Sequence, residues 1–419
     1  MFSTFISAWK VPEIRKKIVF TALMLLVFRI GAHIPIPGVD RALIAEMLSN
    51  NIFGFVDIVS GGAFKQFSVF AMGIIPYINA SIIMNLLTMV VPYFERLSKQ
   101  GPEGRKKMMQ IVRYATIGLG FAQAIAMGFF LRSAIAPGTN LVFAIFVIAI
   151  TLTAGTAFLM WLGEMITEKG VGNGISLIIF AGIVSKLPAA ITSMYTYVTS
   201  GTTSILVILL FVAFAVLVIA GIVLIQEGQR RIPVQYSKRV VGRKMYGGQT
   251  THIPMKINQA GVIPIIFAMA ILIFPATIAG FFPANAFASF VARIFSFQHP
   301  VYMICYGLLI FFFTYFYTAV TFNTADVSDN LKKYGGFIPG LRPGKPTSEY
   351  LDKVLSRVTF VGAAFLTVIA IMPSIAMGIS GLNLYFGGTS LLIAVGVALD
   401  TMKQIESQLL TRHYQGFMK

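Results

Sequence analysis

Residues Val69–Val91 read VFAMGIIPYINASIIMNLLTMVV, without one Asp, Glu, Lys, Arg or His, and the next stretch, Pro92–Arg113, reads PYFERLSKQGPEGRKKMMQIVR and carries six basic side chains. A helix rises about 1.5 Å per residue, so roughly 20 apolar residues cross about 30 Å of hydrocarbon. Each Lys or Arg held at mid-membrane costs about 2.5–3.5 kcal/mol on insertion scales. The junction at Val91 therefore reads as a chain leaving a bilayer, with the cations that follow it in water.

Apolar segments of similar length recur at about 18–36, 111–131, 141–163, 174–195, 203–225, 258–282, 300–322, 358–378 and 384–402, which with the quoted one makes ten spans. Basic residues gather in every second gap. Twenty-seven of the 33 Lys and Arg do so, with Arg113 counted in the gap it closes, and the remainder are Arg29, Arg41, Lys65, Arg132, Lys186 and Arg293. The positive-inside rule places both termini in the cytoplasm, as an even number of spans requires. With 57% hydrophobic and 11% charged residues the chain is far from the soluble average of about 25% charged. Cys305 is its one cysteine, which excludes an internal disulfide or a cysteine-based metal site. The first apolar run ends in His33-Ile34-Pro35-Ile36-Pro37 with no small-x-small cleavage pattern, so it reads as an uncleaved first span.

The fold class expected is an all-α polytopic membrane protein. Residues 1–200 hold five spans and 201–419 hold five more. Gly73-Ile74-Ile75-Pro76 opens the second span of one half, and Gly261-Val262-Ile263-Pro264 lies early in the second span of the other. Because each half has an odd number of spans, two such repeats would be inverted relative to each other, which places a pathway at their interface. Between spans one and two, about residues 53–68 form a semi-apolar stretch with a charge at Asp57 and a glycine pair. It is either an amphipathic helix on the outer surface or a re-entrant segment in a protein-lined cavity, since irregular backbone at membrane depth is tolerated only there.

Two cytoplasmic gaps, about 226–257 and 323–357, exceed what orientation requires. Their tips, Val241-Gly242-Arg243-Lys244 and the Pro/Gly-rich run from Gly336 to Pro346, display basic residues in turns. Such loops suit either contact with anionic lipid or docking of an anionic cytosolic partner, including one that bears RNA.

The spans are nearly bare of ionisable groups. Arg29 is the main exception, while Arg113, Glu164, Lys186 and Asp400 read as anchors near span ends. No catalytic cluster, metal-ligand pair at helical spacing or nucleotide motif is present, so energy for directed transport comes from elsewhere. A coupled carrier keeps ionisable groups in its spans, which counts against a secondary transporter of a small solute. A membrane-embedded enzyme is disfavoured in turn by the missing catalytic residues. What the spans offer is isoleucine at helical spacing, Ile78 with Ile82 and Ile175 with Ile179. Each pair shares a helix face, which meets lipid or a neighbouring helix, or else forms an apolar constriction that sheds water without a charged gate.

Gly73-Ile74-Ile75-Pro76-Tyr77-Ile78-Asn79-Ala80-Ser81-Ile82-Ile83, Gly170-Val171-Gly172-Asn173-Gly174-Ile175-Ser176, Thr251-His252-Ile253-Pro254-Met255-Lys256-Ile257-Asn258, Pro339-Gly340-Leu341-Arg342-Pro343-Gly344 and Phe386-Gly387-Gly388-Thr389-Ser390-Leu391-Leu392-Ile393 follow one another in the chain. In sequence and in order these motifs resemble the SecY family, the channel subunit of the bacterial protein translocon. The resemblance implies a ten-span clamshell of two inverted halves around an hourglass pore, with a lateral gate between spans two and three and spans seven and eight. It implies a pore ring of Ile78, Ile82, Ile175, Ile179, Ile266 and Ile393, and a plug that includes Asp57, Ile58, Val59, Ser60, Gly61, Gly62, Ala63 and Phe64. Thr88, Gln123 and Asn258 would line the gate as a polar cluster, and Arg243, Lys244, Arg342 and Lys345 would dock cytosolic partners. The implied partners are the SecE and SecG membrane subunits, the SecA ATPase, the ribosome, signal peptides and nascent chains. No cofactor or metal is implied, and the implied location is the bacterial cytoplasmic membrane. An apolar ring also suits this substrate physically, because a pore for unfolded chains cannot demand a particular side chain.

Overall fold

The computed structural model describes residues 2–37, 39, 57, 60–135, 140–201, 204–236, 239–241, 244–246, 250–280, 286–295, 299–380 and 388–416. It is mostly helical. A short α1 (Phe2–Lys10) precedes helices that fall on all ten expected spans: α2 (Pro12–Gly31), α3 (Ile75–Val90), α5 (Pro102–Phe130), α6 (Leu141–Lys169), the pair α7 (Gly174–Val184) and α8 (Leu187–Thr199), α9 (Ile205–Glu227), α10 (Ile263–Gly280), α12 (Pro300–Thr321), α14 (Lys345–Ser380) and α15 (Gly388–Gly416). Shorter α4 (Pro92–Lys99), α11 (Ala286–Ile294) and α13 (Thr324–Lys333) lie between them.

Among the described residues six helical stretches are long and apolar enough to cross a membrane, and α3 with α4, bent by 100°, adds a seventh. Of the other expected spans, α2 starts with Glu13, Arg15, Lys16 and Lys17, and the second half of α15 is polar. Helix α10 is uncharged along its whole length, Ile263–Gly280.

Local chemistry sets the helix ends. Pro stands in the first turn of α2, α3, α4, α5, α8 and α12, where its missing N–H costs no bond. The Asn140 and Asn173 side chains accept from the Val142 and Ser176 amides at 3.1 and 3.2 Å and so cap α6 and α7.

The second span differs from expectation, because α3 begins at Ile75 instead of residue 69. Residues 60–74 form successive turns, in which Ser68 N donates to Ala63 O and Ala71 N to Ser68 O. Gly73 has a φ of 55°, in the left-handed region that glycine tolerates. Conversely α5, α14 and α15 run on past the apolar stretches at their basic ends, where Glu, Lys and Gln propagate a helix well. At the edge of the apolar zone Arg113 forms a two-pronged pair with Glu164, at 2.8 and 2.7 Å, which fastens α5 to α6.

A large apolar cluster holds the fold together, drawing Phe28, Ile74, Ile82, Leu159, Leu162 and Ile178 from the first half and Ile222, Ile265, Ile310, Leu366 and Ile393 from the second. Helix α9 fully buries only Val218 and Ile222 and exposes Leu206, Leu209, Leu210, Leu217 and Leu224 on its outer face, as a lipid-facing helix does.

The two long basic loops are not only turns. Strand β1 (Gln229–Tyr236) pairs antiparallel with β4 (Thr250–Lys256), Ile232 opposite Ile253, and on its other edge with β5 (Gly336–Phe337), Gln235 opposite Phe337. Strands β2 (Arg239–Val241) and β3 (Lys244–Tyr246) form a hairpin. Ile232, Val234 and Met255 of the sheet pack on Leu331, Ile338, Leu351, Val354 and Leu355, giving the loops a core of their own. Both loops thereby become one platform, and the expected helical membrane fold holds with this small sheet added between its spans.

Candidate functional site

The six isoleucines of the expected ring all belong to the cluster that joins the halves. Ile82, Ile179 and Ile393 are buried in it, and Ile78, Ile175 and Ile266 pack on it half-buried. Pro76 starts α3 just before Ile78, and the Asn173 cap starts α7 just before Ile175, so each pair lies one turn apart on its helix. Ile175 is turned toward α6, for its Cδ1 fills the space that a Cβ at Gly163 would take.

The segment after span one is folded into the molecule from Ser60 onward. Ser60, Gly61, Ala63, Phe64, Phe67 and Phe70 are buried. Phe70 stacks between Phe28 and Phe158, with centroids 6.3 and 5.8 Å away, and lies where a side chain at Gly31 would stand. Phe64 and Phe67 enter a second cluster with Ala124, Met127, Leu131, Ile148 and Leu152 of the α5–α6 pair. Of the two readings left open by the sequence, the protein-lined one holds for these residues. Ile58 and Val59 lie outside the described residues.

Polar groups fasten the same segment. Arg29 Nη1 donates to Gly61 O at 2.6 Å, and Lys186 Nζ pairs with Asp57 Oδ2 at 2.5 Å. Asp57 Oδ1 accepts from the Lys65 amide at 2.8 Å, and Ser60 Oγ accepts from the Phe64 amide at 3.2 Å. The sequence reading made Lys186 an anchor near a span end. It stands instead at the break between α7 and α8, inside the 26-residue stretch Gly174–Thr199. An ionisable group at such depth is kept when a partner compensates it, and here the partner lies 129 positions away in the chain.

Thr88, Gln123 and Asn258 stand on α3, on α5 and just before α10. Thr88 donates to Met84 O at 2.8 Å and lines a cavity of about 780 Å³. Gln123 is half-buried on α5. Asn258 is buried, with Nδ2 donating to Gly261 O at 3.1 Å. The cavity opens between α3–α4 and α12–α14, with Thr318, Asn323, Asp352 and Thr359 on its far wall. Helix α3 also meets α10 directly, so the two halves touch along one line and part along another.

On the platform, Arg342 and Lys345 are exposed. The turn that carries them is fixed: Thr347 Oγ1 donates to Arg342 O, Ser328 Oγ donates to Gly344 O, and Ile338 is buried beneath. Gly340 and Gly344 supply the left-handed backbone, with φ of 83° and 105°. Lys244 opens β3, and Arg243 lies outside the described residues. The sheet beneath these tips was missed in the sequence reading, although Ile232-Val234-Tyr236 and Ile253-Met255 alternate with the period of a half-buried strand.

A helical membrane protein with an apolar centre shared between two sets of spans, a folded-in segment against it and a basic platform at one end has the build of a polypeptide channel. The SecY family pattern matches residues 68–402. The chain is 49% identical over 431 residues to protein translocase subunit SecY of Halalkalibacterium halodurans, covering all of both chains. Among solved structures it is similar to one described as "The plug domain of the SecY protein stablizes the closed state of the translocation channel and maintains a membrane seal", with a TM-score of 0.67, 18% identity and 96% of each chain covered. It is also similar to "Sec61 in the Canine ribosome-channel complex from the endoplasmic reticulum", with a TM-score of 0.62, 17% identity and 96% of each chain covered. These relatives define a class, the multi-pass protein-conducting translocation channels. Within that class, the chain belongs to the SecY family. A channel family, not a catalytic one, accounts for the sequence, and the solute-carrier reading has no support.

Proposed function

We propose that the chain passes unfolded secretory polypeptides across the bacterial cytoplasmic membrane and releases apolar segments sideways into it, as a passive pore pushed by the SecA ATPase or by a translating ribosome. The observation that supports this reading is that Ile78, Ile82, Ile175, Ile179, Ile266 and Ile393 all lie in or against one large apolar cluster that draws on both halves, 1–200 and 201–419. Branched apolar side chains there form a compliant seal that sheds water and fits peptides of varied width. The segment from Asp57 to Phe64 is its plug, supported by the burial of Ser60, Ala63 and Phe64.

The seam beside α3 is the lateral gate, with Thr88 at its basic end and Gln123 and Asn258 as further polar groups, supported by the cavity between α3–α4 and α12–α14. An apolar signal helix entering there partitions into lipid by the same free energy that holds the spans. Arg342, Lys345, Arg243 and Lys244 lie on the cytosolic face with both termini, as the distribution of basic residues implies. They attract SecA or ribosomal RNA phosphate. SecE and SecG are the membrane subunits expected beside it. The smooth outward face of α9 leaves ample apolar surface for lipid or for such subunits.

Site-specific photocrosslinking tests the whole reading. A secretory chain stalled in transit should crosslink to a probe at Ile78 and not to one at Phe312, which is exposed on α12. Equal labelling at both positions would remove the isoleucines from the path.

A further inference from the structure

Arg29 and Lys186 belong to the six basic residues that lie away from the gaps rich in Lys and Arg, so orientation does not account for them. Each is directed at the same short segment. Arg29, in the last turn of α2, donates to Gly61 O at 2.6 Å, while Lys186, at the α7–α8 break, reaches Asp57 Oδ2 at 2.5 Å. Ser185 Oγ stands 3.4 Å from the Gly61 carbonyl that Arg29 holds. The Lys186 and Asp57 side chains are 28% and 17% exposed, so water screens the pair only in part.

Backbone shape lets both cations in. Gly61 and Gly62 have φ of 67° and 90°. A Cβ on Gly61 would stand 3.0 Å from Gly182 Cα, and one on Gly62 would stand 3.0 Å from Lys186 Nζ. The glycine pair therefore presses the segment against α7 and clears the approach of the lysine. Withdrawal of residues 57–61 would leave two cations and a carboxylate without these partners, so the contacts favour one position of the segment over the other. Only such a difference between states shifts a conformational equilibrium.

We propose that Arg29 and Lys186 are a two-point latch on the Asp57–Gly61 segment, and that this latch sets how much of the channel rests closed. The inference rests on the plug reading above and adds the residues that hold the plug in place.

Resting ion conductance of the full chain in liposomes, with whatever membrane subunits copurify, tests it. Lys186→Met and Asp57→Asn should each raise conductance about tenfold, the scale of about 1.4 kcal/mol. The exchange Asp57→Lys with Lys186→Asp should bring it back toward the parent value, which lost packing alone would not do. Asp57→Cys with Lys186→Cys, made in a Cys305→Ser background, should conduct like Asp57→Asn when untreated and close when a short bifunctional thiol reagent links the two cysteines. Deletion of residues 57–65 is the reference. If the deletion conducts while the single variants stay tight, the latch is wrong and the plug stands. If the deletion also stays tight, the plug reading fails and the latch with it.

Discussion

Two connections between spans, residues 60–74 and the platform built from 229–256 and 336–355, solve opposite problems with similar material. Both are Gly-containing and too interrupted to cross a bilayer. The first is packed among helices, so its carbonyls are met by tight turns, by Arg29 and by Ser185. The second stands clear of the apolar zone and pairs its own backbone in the β4–β1–β5 sheet, over a core of Ile232, Val234, Met255 and Ile338. A connection at membrane depth borrows its polar partners from the helices around it, whereas one in water makes its own.

The strongest way to break this comparison is Ile232→Asp. A carboxylate forced into the core of the platform costs more than about 3 kcal/mol, so translocation should fail and limited proteolysis should cut between 229 and 256. Resting conductance, which depends on the other connection, should not change. A rise in conductance would show that the two regions are not separable.

A subtler test is Arg342→Glu, which leaves the Thr347 bond to the Arg342 carbonyl in place. Coupling to the cytosolic motor should fall roughly tenfold, or about 1.4 kcal/mol, with the melting temperature unchanged. Normal translocation would deny the tip its docking role.

The smallest effect sharpens the other side. Gly61→Ala puts a Cβ at a φ of 67° and 3.0 Å from Gly182 Cα, and a left-handed residue costs about 1–2 kcal/mol. Conductance should rise several-fold while motor binding to the platform stays at the parent level. A weakened motor interaction in that variant would tie the two connections together.

The ten spans were legible in the sequence because apolar length is a local property, and so were the motifs around Ile78, Ile175 and Arg342. The start of α3 was not, since residues 69–74 are as apolar as the helix they precede. Hydropathy does not separate a helix from irregular backbone buried in protein. Strand β1 was hidden for a different reason: Arg230 and Arg231 made it read as a basic flank, although Ile232, Val234 and Tyr236 alternate. The partners of Arg29 and Lys186 lie 32 and 129 positions away, beyond any spacing rule. Gln123 and Asn258 come from the family resemblance, because polarity alone does not tell which groups face one another across a seam.

Helix α14 begins at Lys345, within the turn that displays Arg342, and continues for 36 residues with Pro373 inside its last third. Its first 28 residues, Lys345–Met372, rise about 42 Å at about 1.5 Å per residue, before the proline removes a helix hydrogen bond. On the docking reading proposed above, a small tilt imposed at the tip would become a displacement of several ångströms near Met372.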